Sequence, residues 1–218
     1  MMDEHRAIAF IVDDDPDMRE SLEFLIQSVG VATVSYASAA EFISAFQPSQ
    51  PGCLVCDVRM PEMSGLDLLE ELDRMGIRLP VILMTAYADV PMAIRALKLG
   101  AAEFIEKPFS AQAMLEAIQR SLADDRKRRT SLEFWDDFAK RMGSLTFKER
   151  KTLELLLSGV PNKTIAARLD ITERAIEGRR ASIMKKLDVN SFAELVRHVT
   201  QYELLFPEVR TVLSFDSL

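Results

Sequence analysis

From residue 7 to residue 122, short apolar runs alternate with longer stretches whose apolar positions recur every three or four residues. A continuous apolar run bounded by polar residues is the mark of a strand buried on both faces, and three-to-four spacing marks a helix buried on one side. Their regular alternation predicts parallel strands joined by crossover helices. Five strands are expected, at 7–12, 31–35, 53–56, 81–84 and 103–105. Helix punctuation agrees: Asp15-Pro16 offers an N-cap and a first-turn proline, Ser38 and Glu41 have capping-box spacing, and Gly30, Gly76 and Gly100 stand where helices should stop. The fold class is α/β, a doubly wound five-stranded parallel sheet, expected in the order 2-1-3-4-5.

The pattern changes after residue 122. Residues 123–143 open with the charge run Asp124-Asp125-Arg126-Lys127-Arg128-Arg129 and continue with Phe134, Trp135, Phe138 and Met142 at helical spacing, which predicts a helical linker. The charge run is expected to be a solvated helix surface and the aromatic cluster to pack between domains. Residues 144–205 carry only helical periodicity and predict four short helices, with capping boxes at Thr146/Glu149 and Ser191/Glu194 and N-caps at Asn162 and Thr172. A tail at 206–218 has no assigned role.

Charge separates the same regions. Residues 1–122 hold 9 basic and 19 acidic side chains, whereas residues 144–200 hold 11 and 7. The net charge of −7 therefore hides an acidic front and a basic rear, with different partners expected for each. No run approaches the roughly 18 apolar residues of a membrane span, and the N-terminus lacks a signal-peptide pattern, so a cytoplasmic protein without membrane contact is expected. Cys53 and Cys56 have metal-site spacing, but residues i and i+3 of a strand face opposite ways, so no shared ion is expected.

Ligands of an open parallel sheet gather at the carboxyl ends of its strands. Asp13-Asp14-Asp15 follow the first strand, Asp57 the third, Thr85 the fourth and Lys107 the fifth. Carboxylates converging there repel unless a cation intervenes, and a hard divalent ion such as Mg²⁺ suits all-oxygen ligands. A carboxylate nucleophile, a metal site and a lysine together point to phosphoryl transfer; Asp15 is equally well explained as a helix cap.

Val12-Asp13-Asp14-Asp15-Pro16, Asp57-Val58-Arg59-Met60-Pro61, Thr85-Ala86 and Lys107-Pro108-Phe109 resemble the motifs of response-regulator receivers, flavodoxin-like domains, over residues 7–122. The resemblance implies Asp57 as phosphoacceptor and Mg²⁺ held by Asp13, Asp14, Asp57 and the Arg59 carbonyl. It further implies Thr85 and Lys107 on the phosphoryl group and Phe104 as an aromatic switch. Aspartate-nucleophile phosphatases are the enzymatic rival, but they carry a second acid two residues after the nucleophile, where Arg59 stands; a regulator rather than an enzyme is expected.

Leu145-Thr146, Glu149-Arg150, Gly159-Val160-Pro161-Asn162-Lys163, Ile165-Ala166, Leu169 and Lys185-Lys186-Leu187 resemble the LuxR-type helix-turn-helix, spanning about residues 162 to 187. With the receiver in front, the chain resembles the FixJ group of response regulators. That implies a sensor histidine kinase, double-stranded DNA and RNA polymerase as partners, and a homodimer when phosphorylated. By the family pattern Glu177, Gly178 and Ala181 face the major groove, with Lys163, Arg174, Arg179, Arg180 and Lys185 as phosphate or base contacts. Ala175 and Arg179 depart from the usual Thr and His, and Gly178 is unusual inside a helix.

Overall fold

The computed structural model describes residues 7–87 and 89–207; most of the apolar tail lies outside the described residues. The chain divides into two compact units, Met1–Thr130 and Ser131–Leu218.

The first unit alternates β1 (Ile8–Val12), α1 (Pro16–Gln27), β2 (Ala32–Tyr36), α2 (Ala39–Ala45), β3 (Gly52–Asp57), α3 (Gly65–Arg74), β4 (Val81–Thr85), α4 (Val90–Lys98), β5 (Glu103–Glu106) and the start of α5 (Ala111–Gly143). The sheet is parallel, as the alternation predicts, and its order is β2-β1-β3-β4-β5, the doubly wound order expected. The three inner strands are buried throughout, which is why their sequences are almost purely apolar, while the edge strands β2 and β5 are half-buried. Alternate residues feed two cores. Phe10, Leu54, Cys56 and Leu83 meet Phe42, Leu68 and Leu72 on one face, and Ile11, Cys53, Val55 and Met84 meet Leu22, Ile26, Met114 and Ile118 on the other. The two cysteines thus face opposite ways. Both are buried, and burial first, then the Asp125 charge, pushes the Cys53 thiol up to about 12, so it is inert at neutral pH.

The expected caps largely form. Asp15 and Ser38 accept backbone N–H groups from Asp17 and Glu41, and Gly30, Gly76 and Gly100 take left-handed conformations at helix ends. Asn162 does not cap: Pro161 holds the N-cap position and Asn162 is already helical, because proline's fixed φ suits the entry that an amide side chain would otherwise fasten.

Residues 123–143 continue α5 rather than forming a separate element. The charge run at its middle is solvated at Asp124, Arg126 and Lys127, as expected, but not at Asp125, and Arg128 and Arg129 are half-buried. Asp125 is 1% exposed; it accepts from the Gly52 N–H at 3.0 Å and from Arg129 Nε at 2.8 Å, and also pairs with Arg128. Arg129 in turn donates to the carbonyls of Pro48, Ser49 and Gln50. A charge this deeply buried is tolerated only because it is paired, with Arg128 and Arg129 on its own helix, and hydrogen-bonded, to Gly52 at the start of β3.

The second unit comprises the end of α5, α6 (Phe147–Leu157), α7 (Asn162–Leu169), α8 (Glu173–Leu187) and α9 (Phe192–Leu205). Its core corrects a second expectation: Trp135, Phe138 and Met142 do not pack between domains but lie with Leu153, Ile183, Leu187, Leu195 and Val199 inside this unit. An aromatic stripe at helical spacing shows that a helix is buried, not against what. Thr146, Thr172 and Ser191 cap as expected, and Asp170 and Asp188 close α7 and α8 with positive φ.

Candidate phosphoacceptor site and nucleic-acid interface

Parallel register sets the ends of the inner strands level with one another: Val12 pairs with Cys56, Asp57 with Met84 and Thr85 with Glu106. The residues that follow therefore meet at one edge. Lys107 donates to Asp57 Oδ1 at 2.6 Å and to Asp13 Oδ2 at 2.9 Å, so a single ammonium bridges two carboxylates. Asp57 is 6% exposed and Asp13 1%. The second oxygens are also engaged, Asp57 Oδ2 by the Arg59 N–H at 2.6 Å and Asp13 Oδ1 by the Asp15 N–H at 3.0 Å. Burial pushes the Asp13 carboxyl up, with the Lys107 ammonium opposing that rise. Burial alone would lower Lys107, but hydrogen bonds from it to Asp57 and Asp13 carry its pKa above the ordinary lysine value.

The structure thus brings Asp13, Asp57, Lys107 and the Arg59 backbone together directly. Asp14 is exposed beside Asp13. Thr85 is buried, its hydroxyl oxygen accepting the Tyr87 N–H at 3.2 Å. Phe104 is half-buried against the core on one face of the sheet. Among the described residues no three acidic, histidine or cysteine side chains already form a metal cage. The donor chemistry nevertheless suits Mg²⁺: the side-chain donors are hard carboxylate oxygens, and Asp13 and Asp57 share one lysine with Asp14 next in the chain, leaving negative charge for a divalent ion to balance. Receiver domains in general bind Mg²⁺ at this site.

Two features escape sequence reading. Arg19 of α1 donates to the Asp13 carbonyl at 2.6 Å, fixing the backbone between the acidic pair. Gly65 permits α3 to begin against the end of β3: a Cβ there would lie 2.4 Å from the Asp57 carbonyl oxygen.

In the second unit, α8 exposes Arg174, Glu177, Gly178, Ala181 and Lys185, which recur at three and four residues along one stripe, and Lys163 is exposed on α7. Arg179 and Arg180 stand apart from that stripe. Both are half-buried; Arg179 lies 3.4 Å from the Thr152 hydroxyl and Arg180 stacks over the Phe192 ring at 4.5 Å.

A doubly wound sheet ending in a lysine-bridged carboxylate pair, followed by a helix-turn-helix unit, defines a two-domain response regulator. Residues 9–119 match the response regulator receiver domain family, and residues 143–199 match the luxR family of bacterial regulatory proteins. The chain belongs to the FixJ group of two-component response regulators, a family of transcriptional regulators rather than of enzymes in the usual sense. It is 45% identical to the transcriptional regulatory protein FixJ of Azorhizobium caulinodans over 86% of this chain and 89% of that protein. It is 36% identical to the response regulator protein TodT of Pseudomonas putida over 90% and 86% of the two chains. Among solved structures, the response regulator StyR is similar with a TM-score of 0.81 and 41% identity, covering 90% of this chain and all of that one. A receiver implies a sensor-kinase partner and a LuxR-type domain implies DNA binding. Among the described residues no helix is long and apolar enough to cross a membrane.

Proposed function

We propose that Asp57 accepts a phosphoryl group from a phosphohistidine of a sensor histidine kinase, and that this modification promotes dimerisation and DNA binding to control transcription. The observation that carries the reading is the Asp57–Lys107–Asp13 arrangement. An Asp57 carboxylate oxygen attacks phosphorus, the P–N bond breaks and the imidazole leaves with its electron pair. Lys107 is placed to hold the charge gathering on the phosphoryl oxygens, and the Thr85 hydroxyl, now engaged with the Tyr87 backbone, turns to bind the same group. Asp13, Asp14, Asp57 and the Arg59 carbonyl are the residues that would hold Mg²⁺, which when bound neutralises phosphoryl charge.

Movement of Thr85 frees space for Phe104 to turn inward and remodels the face of α4 and β5. That face already exposes Val90, Ile94 and Leu97, which supports its use in forming the homodimer. Arg59 lies over the Tyr87 ring at 4.5 Å, and this pair at the mouth of the site sets the lifetime of the acyl phosphate. Glu177, Gly178 and Ala181 face the major groove. Lys163, Arg174 and Lys185 hold phosphates, Arg179 and Arg180 flank them, and the bound dimer acts on RNA polymerase in the cytoplasm.

The test is to incubate the protein with Mg²⁺ and acetyl phosphate and follow covalent phosphate by phosphate-affinity gel, beside Asp57→Ala. Modification that requires Mg²⁺ and is lost in Asp57→Ala is expected. Equal modification of Asp57→Ala would remove Asp57 as the acceptor.

A further inference from the structure

The recognition helix α8 is tied to α6 along a polar seam distinct from its apolar core. Glu149 Oε1 accepts from the Ser182 hydroxyl at 2.7 Å, and Oε2 accepts from Lys186 Nζ at 2.7 Å, the Thr146 N–H at 2.7 Å and the Thr146 hydroxyl at 2.8 Å. One turn further along α6, Thr152 receives Arg179. Ser182 and Lys186 are four residues apart and Arg179 three before Ser182, so all three lie on one flank of α8. That flank is set roughly a third of a turn from the exposed stripe of Arg174, Gly178, Ala181 and Lys185. The Glu149 side chain is only 10% exposed and Lys186 is half-buried, whereas its neighbour Lys185 is exposed.

We infer that Glu149 is a positioning residue for DNA recognition: it fixes the roll of α8 about its own axis and withdraws Lys186 from the set of phosphate-contacting cations. The inference rests on the DNA-binding reading of the second unit and adds to it a division of labour between two adjacent lysines. The apolar contacts of Ile176, Ile183 and Leu187 hold α8 in place but are non-directional and tolerate rotation. A carboxylate that receives two groups from one flank of the helix, and is itself locked into the N-cap of α6, does not tolerate it. The Lys186 ammonium is committed to Glu149 and also lies 3.4 Å from the Ser144 carbonyl, so bringing it to a DNA phosphate would strip a buried carboxylate of its cation.

The experiment measures binding of the full chain, treated with acetyl phosphate, to mixed-sequence duplex DNA over a range of salt concentrations. The slope of log K against log salt counts the phosphates neutralised, close to one unit for each cation. Lys185→Ala is expected to flatten the slope by about one unit. Lys186→Ala is expected to keep the wild-type slope while weakening binding about fivefold at every salt concentration, the cost of one lost hydrogen bond. Glu149→Gln, which releases Lys186, is expected to steepen the slope by up to about one unit, and adding Lys186→Ala should return it to the wild-type value. A slope in Lys186→Ala as flat as in Lys185→Ala would overturn the inference, and this arm stands even if Glu149→Gln does not fold. Wild-type protein with no salt-dependent duplex binding would instead overturn the DNA-binding reading, and the inference with it.

Discussion

The carboxylate site and the recognition helix place their functional groups in opposite ways. In the first unit Asp13, Asp57 and Thr85 are buried, Lys107 is nearly so, and each is held by at least one further group, so position is set by strand register and hydrogen bonds together. In the second unit Lys163, Arg174, Glu177, Gly178, Ala181 and Lys185 are exposed, those on α8 along one helical stripe, while Arg179 and Arg180 are half-buried. Buried polar groups must be satisfied, which forces a defined geometry; exposed ones carry no such requirement. A site of the first kind is therefore sensitive to any change in its partners, and a surface of the second kind is sensitive mainly to which residues reach solvent.

The strongest test of this contrast is Lys107→Ala, which leaves two buried carboxylates without their shared ammonium. Phosphorylation by acetyl phosphate is expected to slow by on the order of 10²-fold, measured as the initial rate of covalent modification. Next, Asp125→Ala leaves the buried Gly52 N–H without its acceptor and removes the carboxylate shared by Arg128 and Arg129. A loss of about 3 kcal/mol is expected in urea unfolding, whereas a solvated charge run would lose almost nothing.

Within the recognition helix, Arg180→Ala removes a cation resting on Phe192 and should cost about 0.5–1 kcal/mol of stability with little change in salt slope. Arg174→Ala should do the reverse, flattening the slope by about one unit without moving the melting temperature. If both behave alike, the distinction between exposed stripe and half-buried flank fails. Gly178 has open space where a Cβ would go, so Gly178→Ala should raise stability by about 0.5–1 kcal/mol; if the α8 backbone approaches DNA closely, duplex affinity falls at the same time. Equal affinity would exclude that close approach.

The smallest effect expected is on acid stability. Burial would raise the Glu149 carboxyl, but hydrogen bonds from Lys186, the Thr146 N–H, Ser182 and the Thr146 hydroxyl outweigh it and bring the pKa down from 4.5 to about 2. A depressed folded-state pKa gives stability that is fully present above 4.5 and is lost as pH falls through about 2. Melting temperature should therefore decline between those values, and less steeply in Glu149→Gln.

The sequence by itself determined the alternation of strands and helices, the helix caps at Asp15, Thr146 and Thr172, and the delivery of Asp13, Asp57, Thr85 and Lys107 to the carboxyl ends of their strands. These are local or topological properties: periodicity shows which face is buried, and a parallel sheet delivers the ends of its strands to one side. Tertiary structure decided what each buried face meets. Trp135 and Phe138 announced a buried stripe without saying that it closes the core of the second unit. Asp125 read as one charge in a charged run, because its partners at Gly52 and, through Arg129, at residues 48–50 are remote in sequence. Glu149 read as a capping residue, which it is, while its bonds to Ser182 and Lys186 depend on how α6 and α8 cross. Arg179 and Arg180 are indistinguishable from Arg174 in composition and separate only when Thr152 and Phe192 are brought beside them. Local propensity acts over a few residues, whereas burial and pairing of charge arise between segments that only the folded chain places in contact.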